Sequence, residues 1–386
     1  MSIQLEKDSG HSEIKVLIPF VGDTIGGSHI SALELFAQLS RMRDISPQIA
    51  LMEDGPLAIH LADLGVTYRK FPKPRGDLSV GVRQGLLLSV ASSLRLAKWL
   101  RDEKIDVVHT HDFRMHVLWS VACRFSRARH MLHLRSPTRR SRSFTILAIL
   151  ATKIVTVSNF CRDYIGGRIA GEMLVVPNPV NIVSELNERQ KTRERLLRRV
   201  SGGRTSVLIG WSGNYWERKR PQDFVELATK MSKISDSDIR FLMFGNHKTR
   251  IGEGVEKLIC DRGLGERVFM LGWEPHFVRL LPALDLFIST SEEESFGRTL
   301  VEALLAGTPV IASDIPPHTE SLREGAFGTL YPCGDVEKLF ERTLEHVLDP
   351  RQNLEKAREA YPVLKEAHEP YQHAARIRSI YFEMIS

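Results

Sequence analysis

The chain has 386 residues, of which 42% are hydrophobic and 26% charged, and a formal net charge of +6. This excludes a low-complexity or disordered polymer and leaves room for about two domains, each able to bury its own core. The mild positive balance favours anionic partners such as phosphates, nucleotides or anionic lipid surfaces, without selecting one. Cys123, Cys161, Cys260 and Cys333 form no CxxC pair, so neither a zinc site nor a disulfide framework is expected, and a reducing compartment is.

The opening residues MSIQLEKDSGHSE lack the apolar stretch of a signal peptide. No run of about 18 apolar residues follows anywhere. A cytoplasmic location is expected, with peripheral contact at the inner face of a membrane left open. Short β-branched runs then alternate with amphipathic stretches of helical length. Strands are predicted at Ile14–Phe20, Gln48–Leu51, Thr67–Phe71, Asp106–Thr110, His130–Leu134, Lys153–Val157 and Met173–Val176. Helices lie between most of them, among them His29–Arg43, Gly85–Glu103 and Arg114–Phe125. Pro177-Asn178-Pro179 stops the pattern, and the charged stretch Glu188–Arg199 reads as a solvated helix. The rhythm restarts with strands at Ser206–Trp211, Ile239–Phe244, Arg267–Leu271, Leu284–Ser289, Pro309–Ala312 and Gly328–Tyr331. Helices Pro221–Lys233, Phe296–Ala306 and Asp335–Leu348 separate them, and Pro370–Ser386 is one more. Such alternation means parallel sheets covered on both faces. The expected class is therefore α/β with two doubly wound, Rossmann-like domains, 1–180 and 181–367, and a terminal helix in 368–386.

The densest chemical signal runs from Ser289 to Ser313, where a strand ends in an acidic loop and a helix begins near Gly297. Ligands of open α/β sheets bind beyond the carboxyl ends of strands, and free amides at a helix N-terminus favour an anion. The amides near Phe296, Gly297 and Arg298 are candidates for that role. Glu294 and Glu302 flank the point. If helical throughout, the eight-residue step from one to the other would span about 12 Å, a reach that suits hydroxyls on either side of a sugar nucleotide's diphosphate. Read singly, each glutamate fits equally well as a loop charge or a solvated helix carboxylate.

These residues resemble the retaining glycosyltransferases of family 4, which have the GT-B fold. The acidic motif of that family is two glutamates separated by seven residues, here Glu294-Ser-Phe-Gly-Arg-Thr-Leu-Val-Glu302, followed by Ala306-Gly-Thr-Pro-Val310. Asp106-Val-Val-His-Thr-His-Asp112, Val157-Ser-Asn-Phe160, Val176-Pro-Asn-Pro179, Pro316-Pro-His-Thr-Glu320 and Gly334-Asp335 look like its other landmarks, so the resemblance spans nearly the whole chain. It implies two domains facing each other across a cleft, with the acceptor bound by the first and the donor by the second. The terminal helix would cross back onto the first domain.

The resemblance implies that Glu294 contacts the donor hexose and Glu302 the ribose. Whether Glu294 acts as a nucleophile or only orients the donor stays open. Lys219 in Gly210-Trp-Ser-Gly-Asn-Tyr-Trp-Glu-Arg-Lys-Arg-Pro221 matches the lysine that holds the diphosphate. The cation usual a few residues earlier is replaced by Asn214, and Arg218 or Arg220 could supply the charge. Arg135 stands where a sugar-contacting histidine is expected and joins Glu294 and Lys219 as a catalytic candidate. The expected donor contacts are Gly27, Asn214, Arg218, Lys219, Gly245, Glu294, Ser295, Phe296, Gly297, Arg298 and Glu302. Gly26 and His111 are expected on the acceptor side.

The run Arg124–Arg142 holds seven arginines and no acidic residue. It reads either as a solvated face or, through Arg139, Arg140 and Arg142, as a hold on an anionic acceptor or on the membrane carrying it. Its few aromatics do not make a nucleic-acid stacking platform. Asp236-Ser-Asp238 spells a DxD but sits in a polar loop and reads as solvated. No cofactor and no metal are expected. The expected partners are a nucleotide sugar (UDP- or GDP-linked), and a glycan or lipid-linked acceptor of surface polysaccharide or glycoconjugate synthesis. Two other readings stay open: a sugar-nucleotide epimerase of the same fold, and an anionic-surface binding module without catalysis.

Overall fold

The computed structural model describes residues 13–74, 82–139, 141–180, 189–234 and 238–386. They form two units, one of residues up to Pro179 together with Pro370–Ser386, the other of Val180–Glu369.

The first unit runs β1 (Ile14–Phe20), α1 (Gly27–Leu39), β2 (Ile45–Leu51), α2 (Pro56–Asp63), β3 (Arg69–Lys70), α3 (Val82–Asp102), β4 (Val107–Thr110), α4 (Phe113–Arg124), β5 (Arg129–Leu134), α5 (Arg142–Leu150), β6 (Lys153–Thr156), α6 (Asn159–Ile165), α7 (Gly167–Gly171) and β7 (Leu174–Val175). Its seven strands pair in parallel in the order β3-β2-β1-β4-β5-β6-β7. The central strands β1 and β4 are almost wholly buried, as expected where helices cover both faces, whereas the edge strand β3 is the exposed pair Arg69-Lys70. The order reverses between β1 and β4. The loops after those two strands, which carry Gly26, Gly27 and His111, diverge there at the carboxyl edge.

The second unit runs α8 (Arg189–Arg199), β8 (Val207–Ser212), α9 (Pro221–Ile234), β9 (Ile239–Phe244), α10 (Arg250–Asp261), β10 (Val268–Gly272), β11 (Leu286–Ser289), α11 (Arg298–Leu305), β12 (Val310–Asp314), α12 (Pro316–Ser321), β13 (Thr329–Pro332), α13 (Val336–Leu348) and α14 (Arg351–His368). Its six parallel strands lie in the order β10-β9-β8-β11-β12-β13. The reversal falls between β8 and β11. The loop carrying Lys219 and the loop carrying Glu294 are therefore neighbours by topology.

Two expectations need correction. The charged helix α8 is not solvated all round. Leu196 and Leu197 are buried, and Arg193 donates to the Ala283 and Ser206 carbonyls at 2.8 and 2.7 Å while pairing with Asp285 at 3.0 Å. The expected helix Phe296–Ala306 starts only at Arg298, because Gly297 takes φ +78° as its N-cap. The segment from Glu294 to Glu302 is thus half loop, and the 12 Å span does not apply. The apolar pattern also gives little sign of α14, which is polar and carries Pro362 inside it.

The last helix, α15 (Pro370–Ile385), starts at a proline, whose missing N–H costs nothing in a first turn. Its stripe Ala374, Ile377, Ile380, Tyr381 and Met384 recurs at three- and four-residue spacing and enters the core around Ile14, Val16 and Ile18. Arg378 adds a bidentate pair to Asp44, with Nε at 3.0 and 2.8 Å from the two carboxylate oxygens. Among the described residues no helix is long and apolar enough to cross a membrane.

Because Ile377 is fully buried in this shared core, Ile377→Ala is expected to lower unfolding stability by about 2–5 kcal/mol. Urea denaturation measures it. A loss within ordinary surface-mutation range would mean that α15 is not integral to the first unit's core.

Candidate active site

In the second unit, the switch-point loops are stitched together before any charge is considered. Thr290, fully buried at the end of β11, accepts from Trp211 Nε1 at 2.9 Å and shares its hydroxyl hydrogen between the carbonyls of Lys219 and Arg220, at 2.8 and 3.0 Å. The Glu292 amide donates to the Arg218 carbonyl at 2.9 Å. This fixes the backbone of the short 3-10 turn Glu217–Lys219 against the acidic loop. The Lys219 ammonium then meets the Glu294 carboxylate directly, and Ser291 Oγ donates to the same Oε1 at 3.3 Å. The two side chains are 17% and 21% exposed, so the pair is partly withdrawn from water yet open to a ligand. Burial acts to raise the Glu294 pKa, but the Lys219 charge and its hydrogen bond outweigh that and hold the carboxyl below its ordinary value.

Behind the pair, Ser313 Oγ donates to the Ser291 carbonyl, and His318 is fully buried. His318 Nδ1 donates to the Ser313 carbonyl at 2.9 Å, which leaves Nε2 as the acceptor nitrogen. That atom has no partner among the described residues. Burial lowers the His318 pKa, with Glu294 opposing, so the ring is neutral near pH 7. A Cβ at Gly297 would lie 3.1 Å from His318 Cδ2 and would also be strained by the positive φ, so the N-cap of α11 requires glycine. Phe296, just outside the helix, packs its ring 5.3 Å from His368, and its carbonyl accepts from Ser321. Ser295 is half-buried beside it. Glu302 lies one turn into α11, 7% exposed, and accepts from Arg298 Nε at 2.6 Å. His318 and Thr290 were not among the sequence candidates. The available signal was that Thr290 lies in the Ser289–Ser313 stretch and His318 in the Pro316–Glu320 landmark, both after strands of this sheet.

The structure separates the cations that could stand in for the one missing at Asn214, a half-buried residue whose carbonyl accepts from the Trp216 amide at 2.7 Å. Arg220 is committed to Asp223 (2.8 and 3.2 Å) and Glu292 (3.2 Å). Arg218 is 42% exposed, stacks 4.7 Å above the Trp216 ring and lies 3.7 Å from Glu293. Arg218 is the more available of the two. Gly245, at φ +134°, lets β9 leave the sheet against the Gly213 carbonyl, where a Cβ would sit at 1.9 Å. It shapes this loop through backbone contact.

In the first unit, Gly26 caps α1 with its amide donating to His29 Nδ1 at 3.2 Å, and open space surrounds Gly27. Arg135 is 8% exposed, so the arginine run is not a uniform solvated face. Arg135 Nε donates to His111 Nδ1 at 3.0 Å, and its guanidinium also reaches Asn178 of the Val176–Pro179 landmark. Beneath it, His109 bonds Tyr381 at 2.6 Å and His133 at 3.1 Å. Burial first, and the Arg135 charge second or third, push all three histidines well below their ordinary pKa. His109, His111 and His133 each bring a ligand-type nitrogen within 4.8 Å of the others, a grouping the sequence reading did not foresee. The adjacent guanidinium and the hydrogen bonds within the group oppose a dication there. Arg139 and Arg142 are exposed, while Arg140 lies outside the described residues. Asp236 does too. Asp238 takes a bond from the Ser206 hydroxyl and pairs with Arg240 at 2.9 Å, as a structural loop residue would.

The sequence family described as Glycosyltransferase Family 4 matches residues 25–183, and Glycosyl transferases group 1 matches residues 196–367. The chain belongs to glycosyltransferase family 4. It is a glycosyltransferase with the GT-B fold. It is 26% identical over 365 residues to the UDP-Gal:alpha-D-GlcNAc-diphosphoundecaprenol alpha-1,3-galactosyltransferase of Escherichia coli, covering 89% of this chain and 90% of that one. It is also 26% identical over 341 residues to the phosphatidyl-myo-inositol mannosyltransferase of Mycobacterium leprae, covering 85% of each. The crystal structure of Anabaena Alr3699/HepE in complex with UDP and glucose aligns with a TM-score of 0.78 at 19% identity, covering 96% of this chain and 100% of that one.

The Glu294 shift has a consequence for stability. Since its folded pKa lies below the ordinary 4.5, the carboxylate contributes stability above that value, and the contribution is lost as pH falls through the folded pKa. Lys219→Met should remove the cation and let burial raise the Glu294 pKa instead. The urea-midpoint difference between wild type and Lys219→Met is therefore expected to be larger at pH 7 than at pH 4. An equal difference at both would show that the pair is not coupled.

Proposed function

We propose that the chain is a retaining, metal-independent glycosyltransferase. In this reading it moves a sugar from a UDP- or GDP-sugar onto a glycan or lipid-linked acceptor that serves surface polysaccharide or glycoconjugate synthesis. The observation that carries it is the Lys219–Glu294 pair at the N-terminus of α11, with Glu302 buried one turn further in. Lys219, helped by Arg218 and the α11 amides, offsets charge on the departing diphosphate, an electrostatic contribution that often dominates catalysis. Glu294 accepts from donor-sugar hydroxyls and Glu302 from the ribose. The diphosphate, drawn toward Lys219, takes the acceptor's proton on the face it leaves, which preserves anomeric configuration. The named substrates of the Escherichia coli and Mycobacterium leprae relatives, a diphosphate-linked lipid and a phosphatidyl-inositol, support an acceptor bearing phosphate. Gly26, His111, Arg139, Arg140 and Arg142 are the groups assigned to it, and Arg135 stays with Glu294 and Lys219 as a catalytic candidate.

Glu294→Gln and Lys219→Ala are each expected to lower kcat by about 100-fold, the usual loss of about 3 kcal/mol for one charged transition-state contact. Glu302→Ala should chiefly raise the donor KM, because a ribose contact persists through the reaction. Assaying a panel of nucleotide sugars with and without acceptor tests the class, and near-normal kcat in both of the first two variants would overturn the site assignment. Activity should survive a chelator. Activity that vanished with chelation and returned with manganese or magnesium would overturn the metal-independent mechanism.

A further inference from the structure

The first unit carries a second basic feature on the opposite edge of its sheet, independent of the transfer reaction. A cavity of about 390 Å³ opens at the amino-terminal end of β5, between the ends of α4 and α5. Its wall includes Arg124, Ser126, Arg127, Arg129, His130 and Thr152. We propose that this cavity is a binding site for a phosphate group, distinct from the nucleotide-sugar site.

The arginine run is divided by β5. Arg135 and Arg139 leave the strand at its carboxyl end, whereas Arg124, Arg127 and Arg129 lie before or at its first residue. All three of these are exposed, and among the described residues none is ion-paired. The carboxylates of the neighbouring α3–β4 turn have other partners. Asp102 pairs with Lys98 at 2.7 Å, Glu103 pairs with Arg69, and Asp106 accepts from the Lys15 amide at 2.8 Å. The carboxyl ends of α4 and α5 bring roughly half a negative charge each, which three full positive charges exceed. Arg124 alone could be explained as a cation completing the last turn of α4. Arg127 and Arg129 lie outside that helix, so this does not account for them.

The second observation is His130. It lines the cavity, is 1% exposed, and its Nδ1 has no hydrogen-bond partner among the described residues. Its Nε2 lies 3.1 Å from Thr110 Oγ1, so the ring is held from one side only. The ring thus closes the inner wall of the cavity, and the three guanidinium groups supply the contacts to a ligand. Guanidinium forks bind phosphate oxygens bidentately, and three of them around one opening select phosphate over a carboxylate, which offers fewer acceptor positions. The phosphate could belong to a soluble ester or to a phospholipid headgroup. Phe125 and Ile149, 53% and 77% exposed, stand at the ends of α4 and α5 on this same edge, so both sources are tested.

The experiment compares wild type, the combined Arg124→Ser, Arg127→Ser and Arg129→Ser variant, and an Arg139→Ser, Arg142→Ser control, with circular dichroism to verify folding. One arm titrates inorganic pyrophosphate calorimetrically. The other measures cosedimentation with vesicles of phosphatidylglycerol and phosphatidylcholine against phosphatidylcholine alone. Losing charge-assisted bonds weakens binding by about tenfold or more. A loss of that size in pyrophosphate affinity, confined to the triple variant, supports a soluble phosphate ligand. Loss of anionic-vesicle binding alone, again confined to the triple variant, supports a headgroup. If the triple variant matches wild type in both arms, or the control loses as much, the proposal is overturned. Should the serine variant fail to fold, the corresponding lysine replacements keep the charge but remove the fork. A clear fall in affinity there supports the site, and unchanged affinity overturns it.

Discussion

The ion pair between Lys219 and Glu294 joins two segments 75 residues apart, and the second unit is organised so that it can form. Neither side chain could hold its place unaided, since both sit on loops. The right-handed βαβ crossovers make β8 and β11 neighbours whose loops diverge. The buried Thr290 hydroxyl closes the gap by bonding the backbone on the far side. Gly297 in its left-handed conformation then turns the chain so that α11 starts immediately after the acidic loop. Each of these is a backbone device, and the charge chemistry rests on them.

The pair also illustrates why burial alone does not decide a carboxylate's state. Desolvation is the largest influence on Glu294 and acts to raise its pKa, yet the ammonium beside it wins. In the first unit the same contest has another outcome. His109, His111 and His133 are buried beside a cation rather than a carboxylate, so both influences push toward the neutral ring. A stack of neutral imidazoles can surround the Arg135 guanidinium without adding charge, and Tyr381 from the far end of the chain completes it. One tyrosine of α15 thereby contributes to the core and reaches the polar group at the carboxyl edge of the sheet.

Arginine content proved a poor guide to arginine role. Seven arginines in nineteen residues look alike as a composition, but a six-residue strand in their midst sends them to opposite edges of the sheet and buries one. The same holds for Arg218, Lys219 and Arg220. Three consecutive cations become a stacked exposed group, a partner for Glu294 and a structural clamp on Asp223.

Much of this was legible in the linear chain. The alternation of apolar strands and amphipathic helices determined the α/β class, and Glu294, Glu302 and Lys219 stood out through the resemblance to family 4, which rests on local motifs. What only the tertiary structure decided depends on partners distant in sequence. Arg220 is committed to Asp223 and Glu292, while Arg218 is the more available of the two. Glu302 is buried against Arg298 instead of solvated. Asn178 anchors Arg135, and the histidines of β4 and β5 form one group. The reason is physical. Secondary structure follows from periodicity along the chain, whereas the state of a charged side chain depends on which dipoles and counter-charges the fold places within a few ångströms of it.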